Sequence, residues 1–160
     1  MNEQKLDEKS REEREGNIII YRLKESTQAD PASRVKEDTD FFKSLCTEAL
    51  GITEIGTKSV IRLGKKPDDQ SRPRPLKVSL SDKNDRQKIM GNLTKLKDAE
   101  PKFRNISVAY DLSLEERKKK KEKVLEAKKR EEEESDGGQW TFRVRGPPWD
   151  LKIVRLKKRD

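Results

Sequence analysis

The apolar residues fall into short clusters separated by long polar stretches, and the spacing inside each cluster predicts an element. Asn17-Ile18-Ile19-Ile20-Tyr21-Arg22-Leu23, after Gly16, is β-branched and aromatic and reads as a buried strand. Asp30-Pro31 reads as a helix N-cap followed by proline at the first helical position. Val35, Phe42, Leu45, Cys46 and Ala49 then fall on one helical face, and Gly51 ends it. Ser59 to Leu63 predicts a second strand. Leu76, Val78 and Leu80 alternate with Lys77 and Ser79, which predicts a third strand with three side chains turned inward. Ser81 or Asp82 can cap a second helix in which Ile89, Leu93 and Leu96 are spaced i, i+4, i+7. Gly91 weakens that helix by about 1 kcal/mol relative to alanine, and Pro101 breaks it. Asn105 to Tyr110 reads as a fourth strand.

The order β-α-β-β-α-β makes two split β-α-β units. Right-handed crossovers close them into an α+β, ferredoxin-like, four-stranded antiparallel sheet with both helices on one face and the other face open. This domain is expected over residues 16–112. Before it, residues 1–15 carry one large apolar side chain after Met1, Leu6, and read as a solvated, partly helical arm.

After it, Ser113-Leu114-Glu115-Glu116 is a capping box that opens a charged connecting helix over 113–135. Its i, i+4 pairs, such as Glu115 with Lys119, Lys118 with Glu122 and Glu126 with Arg130, each add only about 0.2–0.5 kcal/mol but together favour a helix that needs little burial. The Lys118 to Lys121 run reads as a solvated face before it reads as a nuclear signal. Ser135-Asp136-Gly137-Gly138 stops the helix. Residues 136–160 then alternate Trp140, Phe142 and Val144 with Thr141, Arg143 and Arg145, turn at Gly146 to Asp150, and return from Leu151, a β-hairpin with an apolar and an arginine face. A lone hairpin is marginal, so its apolar side is expected to rest on the body or on more of a larger domain.

Composition narrows the function. Hydrophobic residues are 29% and charged residues 44% of the 160, so the apolar residues must be concentrated, as they are between Asn17 and Asp111 and again from Trp140 to Leu156. One cysteine, Cys46, and no histidine exclude an intrachain disulfide, a zinc site built on cysteine and histidine, and histidine-based triads. Cys46 sits in an apolar stripe and reads as a small core side chain. The longest apolar run is Ile18 to Ile20, and Met1 is followed by charge, so neither a membrane span nor a signal peptide is expected and a reducing intracellular setting is the default.

The net charge of +8 is unevenly spread: residues 1–15 carry four bases and six acids, 16–114 carry 19 bases and 14 acids, and 140–160 carry seven bases and two acids. Excess cation in the body and tail points to a polyanion such as nucleic acid. An open split β-α-β sheet is the architecture of the RNA-recognition motif, whose first and third strands present rings that stack on bases. Here Pro75 and Lys77 occupy the third-strand ring positions, and Ile19, with Tyr21 two residues on, the first. Binding is therefore expected to read phosphate and shape through Arg22, Arg62 and Lys77, with Arg72 and Arg74 held on a proline-stiffened strand entry. Arg143 and Arg145 join them from the hairpin.

Several segments together resemble a family. The strand after a Glu/Arg-rich arm, Arg62-Leu63-Gly64-Lys65, Arg72-Pro73-Arg74-Pro75-Leu76-Lys77-Val78, Asp111-Leu112-Ser113 before a charged helix, and a Pro-x-x-Leu turn at Pro148 to Leu151 occur in this order. The set is similar to the nucleic-acid-binding protein encoded by the first open reading frame of LINE-type (non-LTR) retrotransposons: its RNA-recognition-like domain followed by the start of its C-terminal domain. The resemblance implies binding of RNA and single-stranded DNA with little sequence preference, ribonucleoprotein assembly in the cytoplasm or nucleus, and nucleic-acid chaperone activity. It assigns nucleic-acid binding to Arg62, Lys65, Arg72 and Arg74; Lys66, beside Lys65 in the same basic loop, is a further candidate. Self-association through the family's N-terminal coiled coil is not supported by so short an arm.

The competing reading is a protein-interaction scaffold docking through the sheet or the Trp149 turn, with Trp140 and Trp149 both expected to be exposed, since tryptophan often anchors interfaces. Catalysis comes last. Asp68 with Asp69, and Asp38 with Asp40, could pair on magnesium but lie in ordinary surface contexts, so no catalytic residue, metal ligand or cofactor is expected.

Overall fold

Alternation at Leu76-Lys77-Val78-Ser79-Leu80 turns three apolar side chains to one face of a strand, where all are buried, and leaves Lys77 and Ser79 half-buried on the other. This strand lies beside the β-branched run at Asn17 in a four-stranded antiparallel sheet. The computed structural model describes residues 3–68, 71–134 and 138–159 and divides into two compact units, Met1–Asp111 and Leu112–Asp160.

In the first unit the elements run α1 (Glu3–Glu15), β1 (Asn17–Tyr21), α2 (Pro31–Ser44), β2 (Thr57–Arg62), β3 (Leu76–Leu80), α3 (Asp85–Met90), α4 (Pro101–Arg104) and β4 (Ser107–Tyr110). The strand order is β2-β3-β1-β4, with Ile18 opposite Val78 and Tyr110, and Ile19 opposite Lys77 and Ala109. Ile18, Ile20, Val60, Leu76, Val78, Leu80 and Val108 from one face of the sheet form a single core with Phe42 of α2, Leu45 of the turn that follows it, Ile89 of α3 and Phe103 of α4. Burial of this set is the main driving force for the fold, at about 1.5–3 kcal/mol per large side chain.

Asp30 caps α2 as expected: its carboxylate accepts from the Ser33 hydroxyl and amide, both at 3.0 Å, which hold its carboxyl below the usual range. The inward stripe differs from the sequence expectation. Val35 is 48% exposed and Asp38 is buried in its stead, four residues before Phe42, because Asp38 is drawn inward by a partner described below. The helix ends in a widened π turn, Leu45–Ala49, closed by Leu50 N–H on the Leu45 carbonyl, after which Gly51 takes φ 66° and lets Ile52 N–H reach back to the Cys46 carbonyl.

The second expected helix is broken. α3 stops at Met90, a 3₁₀ turn follows at Leu93–Asp98, and Leu93 and Leu96 are only partly buried while Ile89 is fully so. Gly91 and Asn92 interrupt the helical run, and Pro101 starts the four-residue α4 where it was expected only to break a helix, since a proline at the first position loses no hydrogen bond. The arm expected to be partly helical is helical over Glu3–Glu15.

In the second unit, α5 (Leu114–Glu133) opens with the expected capping box: Glu116 N–H donates to Ser113 Oγ at 3.1 Å and Ser113 N–H to Glu116 Oε1 at 3.0 Å. Glu126 pairs with Arg130 at 2.8 Å. The expected stop at Ser135-Asp136-Gly137 lies outside the described residues. The hairpin β5 (Trp140–Arg145) and β6 (Lys152–Lys157) packs on α5 chiefly through β5, which supplies the support a lone hairpin lacks. Its register corrects the two-faced reading: Trp140, Phe142 and Val144 share a face with Ile153 and Arg155, while Arg143 and Arg145 share theirs with Val154 and Leu156. The Arg155 guanidinium lies 3.9 Å over the Trp140 ring and pairs with Glu134, so Trp140 is half-buried. At the turn Gly146 takes φ 102°, and a Cβ there would meet the Asp150 carbonyl.

No helix among the described residues is long and apolar enough to cross a membrane.

Candidate nucleic-acid interface

The face of the sheet opposite the core carries Ser59 and Ile61 on β2, Lys77 and Ser79 on β3, Asn17, Ile19 and Tyr21 on β1, and Ser107 and Ala109 on β4. Its middle row is Ile61, Lys77, Ile19, Ala109, with no aromatic ring. Tyr21 stands at one end, 42% exposed. There is no carboxylate among these nine side chains, so Lys77 sets the sign of the face.

Two of the arginines expected to bind are instead part of the fold. Arg62 ends β2 with its side chain 8% exposed. Its Nε donates to Asp38 Oδ2 at 3.0 Å and Nη2 to Asp38 Oδ1 at 2.8 Å; Nη1 donates to the Leu23 and Arg74 carbonyls, both at 2.8 Å, and Nη2 also to the Lys24 carbonyl at 3.2 Å. A guanidinium has five N–H donors, and these five bonds use them all. Arg62 therefore has nothing left to offer a phosphate, and Asp38 is a buried partner where a surface carboxylate was expected. Its twin, Arg74, donates from Nε and Nη2 to Glu25 Oε1 at 2.9 and 2.7 Å, and its own amide N–H reaches Oε2 at 3.1 Å. Burial raises the Glu25 pKa, but the Arg74 hydrogen bonds and the charges of Arg74 and Arg62 outweigh it and hold the carboxyl below its ordinary value. Both corrections share a cause: an arginine near a strand end meets a carboxylate, Asp38 from α2 or Glu25 from the loop before it, and neither ion can stay buried unpaired.

What the pairing leaves at this end of the sheet is cationic. Arg22, directly after β1, takes φ 64° and is steadied by Nε donating to the Asn105 carbonyl at 3.1 Å. It lines an open depression of ≈ 640 Å³ with Lys24, Ser71, Pro73, Arg104 and Asn105. Three cations and two polar side chains line it, and among the described residues none in the lining is a carboxylate. Arg72 is exposed just before Pro73, and Lys65 and Lys66 are exposed in the loop after β2. Asp69 of the Asp68–Asp69 pair lies outside the described residues, and among those described no three acidic or cysteine side chains gather to hold a metal ion.

The sequence reading missed Lys24 and Arg104. Lys24 had a signal, standing two residues after Arg22 on the same strand exit. Arg104 had none, because it reaches the depression only through the pairing of Tyr21 with Ser107, which brings the α4–β4 turn beside the end of β1.

On the second unit, Arg143 and Arg145 are exposed on the hairpin, each with an Nη1 donating to the carbonyl of the residue before it. Trp149 at the turn is 65% exposed. The buried Cys46 thiol is pushed up to about 12, first by burial and then by the Asp85 charge, which leaves it a core side chain with no nucleophile's character.

No protein-family model matches the chain, and no curated protein matches it either.

Proposed function

We propose that the chain binds RNA and single-stranded DNA through the phosphate backbone with little sequence preference, on an RNA-recognition-like sheet, as a binding module rather than an enzyme. The observation that carries this reading is the depression at the end of β1, lined by Arg22, Lys24 and Arg104 with no carboxylate among the described lining residues. Phosphates are the polyanion such a surface fits, and positive side chains without base-edge readers give affinity without sequence. Lys77 continues the cationic path onto the open face, and Arg72 flanks it. The resemblance of segments 62–65, 72–78 and 148–151 to LINE-type first-frame proteins supports a place in a retrotransposon ribonucleoprotein, with nucleic-acid chaperoning as its work in the cytoplasm or nucleus.

The test is fluorescence anisotropy with a labelled single-stranded RNA of about 20 nucleotides and its DNA equivalent, from about 50 to 300 mM salt. Each phosphate contact contributes a slope of about −0.7 in log affinity against log salt. Arg22→Ala/Lys24→Ala/Arg104→Ala should lower the slope by about 2, while circular dichroism stays native. A flat salt dependence, or no binding at about 50 mM, would reject the proposal. The exposure of Trp149 favours a second reading, a protein partner docking at the hairpin turn. A partner that quenches tryptophan fluorescence where RNA does not would support it.

A further inference from the structure

We infer that the acidic end of α1 is an intramolecular competitor for the polyanion, an autoinhibitory negative charge beside the far end of the open face. This rests on the nucleic-acid reading above and concerns a different place in the fold. The depression at Arg22 lies where β1 ends and β3 begins. At the opposite end of the same two strands, where β1 begins and β3 ends, a cleft of ≈ 710 Å³ opens between α1 and the sheet. Glu12 and Glu13 line it from α1, and Lys58, Lys77 and Ser79 line it from β2 and β3, with Lys83 at the following loop. Asp82 also lines it, its carboxylate accepting from the Asn84 amide.

Lys77 is thus shared: it is the central charge of the open face and a wall of this cleft. A strand running from the depression along β1 and β3, five residues or about 17 Å, passes Lys77 and then meets the Glu12 and Glu13 carboxylates of α1, with Asp82 beside them. The helix that carries them is held in place. Leu80 N–H donates to the Gly16 carbonyl at 2.7 Å, Arg86 Nη1 donates to the Arg14 carbonyl at 3.4 Å, and Glu15 stands 3.9 Å from Lys83. Yet among the described residues no ion pair closes between Glu12 or Glu13 and the lysines they face. The lysines are therefore biased toward the arm without being locked to it. Phosphates must displace that bias to reach Lys58 and Lys77, and the cost is electrostatic and sensitive to salt.

The test compares wild type with Glu12→Gln/Glu13→Gln and with Lys58→Ala/Lys77→Ala by anisotropy on a single-stranded RNA of about 20 nucleotides. The glutamine pair should tighten binding about three- to five-fold at about 50 mM salt, with the gain fading near 300 mM. Placed in the Lys58→Ala/Lys77→Ala background, the same pair should give less than half that gain, because the lysines it frees are gone. Wild-type binding that the glutamine pair leaves unchanged or weakens would overturn the inference and leave the nucleic-acid reading standing. Absence of binding by wild type and by the glutamine pair would overturn both. Both substituted glutamates are exposed, so circular dichroism should stay native.

Discussion

The Arg62 guanidinium and the Asp38 carboxylate meet edge to edge, Nε on Oδ2 at 3.0 Å and Nη2 on Oδ1 at 2.8 Å, with both side chains no more than 10% exposed. The pair ties the end of β2 to α2 and, through the Leu23, Lys24 and Arg74 carbonyls, fixes the exit of β1 and the entry of β3. Removing either partner leaves the other charged and buried. Arg62→Ala or Asp38→Ala should cost about 3–5 kcal/mol in urea unfolding, a large part of a domain's total stability of about 5–15 kcal/mol. Arg62→Lys should recover little, since an ammonium cannot copy the fork. Because Arg62 has no free donor, variants that stay folded should keep wild-type affinity for nucleic acid; a selective loss of binding at full stability would show that Arg62 serves the ligand.

The neighbouring pair gives the fold a pH dependence. Folding lowers the Glu25 pKa from its ordinary value of 4.5, so the unfolded chain takes up the proton first. The stabilisation is complete above that ordinary value and is lost as pH falls through the lower folded value. Glu25→Gln should be less stable than wild type at neutral pH, and the gap in chemical denaturation should narrow as pH falls below the ordinary value of 4.5. A gap that does not narrow as the protein is acidified would mean the carboxylate charge contributes nothing.

These two pairs also mark the limit of what the sequence could reveal. The strands, the Asp30 and Ser113 caps and the inward set Leu76, Val78, Leu80 were legible because each depends on residues within a few positions. Arginines 62 and 74 stood in an equally clear pattern but were read outward, because their partners lie 24 and 49 residues away and only the fold brings them together. Arg104 was invisible for the same reason. The second helix failed differently: Ile89, Leu93 and Leu96 keep helical spacing, but Gly91 and Asn92 break the backbone between them, and spacing carries no information about whether a helix continues.

Cys46 offers a check on the core. With the thiol 2% exposed and its pKa pushed up to about 12, almost no thiolate exists at neutral pH. A thiol reagent such as dithiobisnitrobenzoate should leave the native protein unlabelled over hours and label one thiol at once in denaturant. Labelling of the native form within seconds would place Cys46 in a mobile part of the fold.

The ring-free middle row predicts how the bound strand is read. Stacking of a base on an aromatic side chain is worth about 1–3 kcal/mol, and Ile61, Lys77, Ile19 and Ala109 offer no ring to stack on. Tyr21 is the single ring on that face among the described residues, at the end of β1. If phosphates carry the affinity, a DNA strand with several abasic sites should bind within about three-fold of its intact equivalent, and Tyr21→Ala should cost no more than the low end of one stacking interaction, about 1 kcal/mol. Arg22→Ala/Lys24→Ala/Arg104→Ala should cost far more on both strands. An abasic strand that binds ten-fold more weakly, with Tyr21→Ala costing no more than about 1 kcal/mol, would show that bases are being stacked by side chains other than those of the sheet, and the exposed Trp149 turn of the second unit would be the first place to substitute.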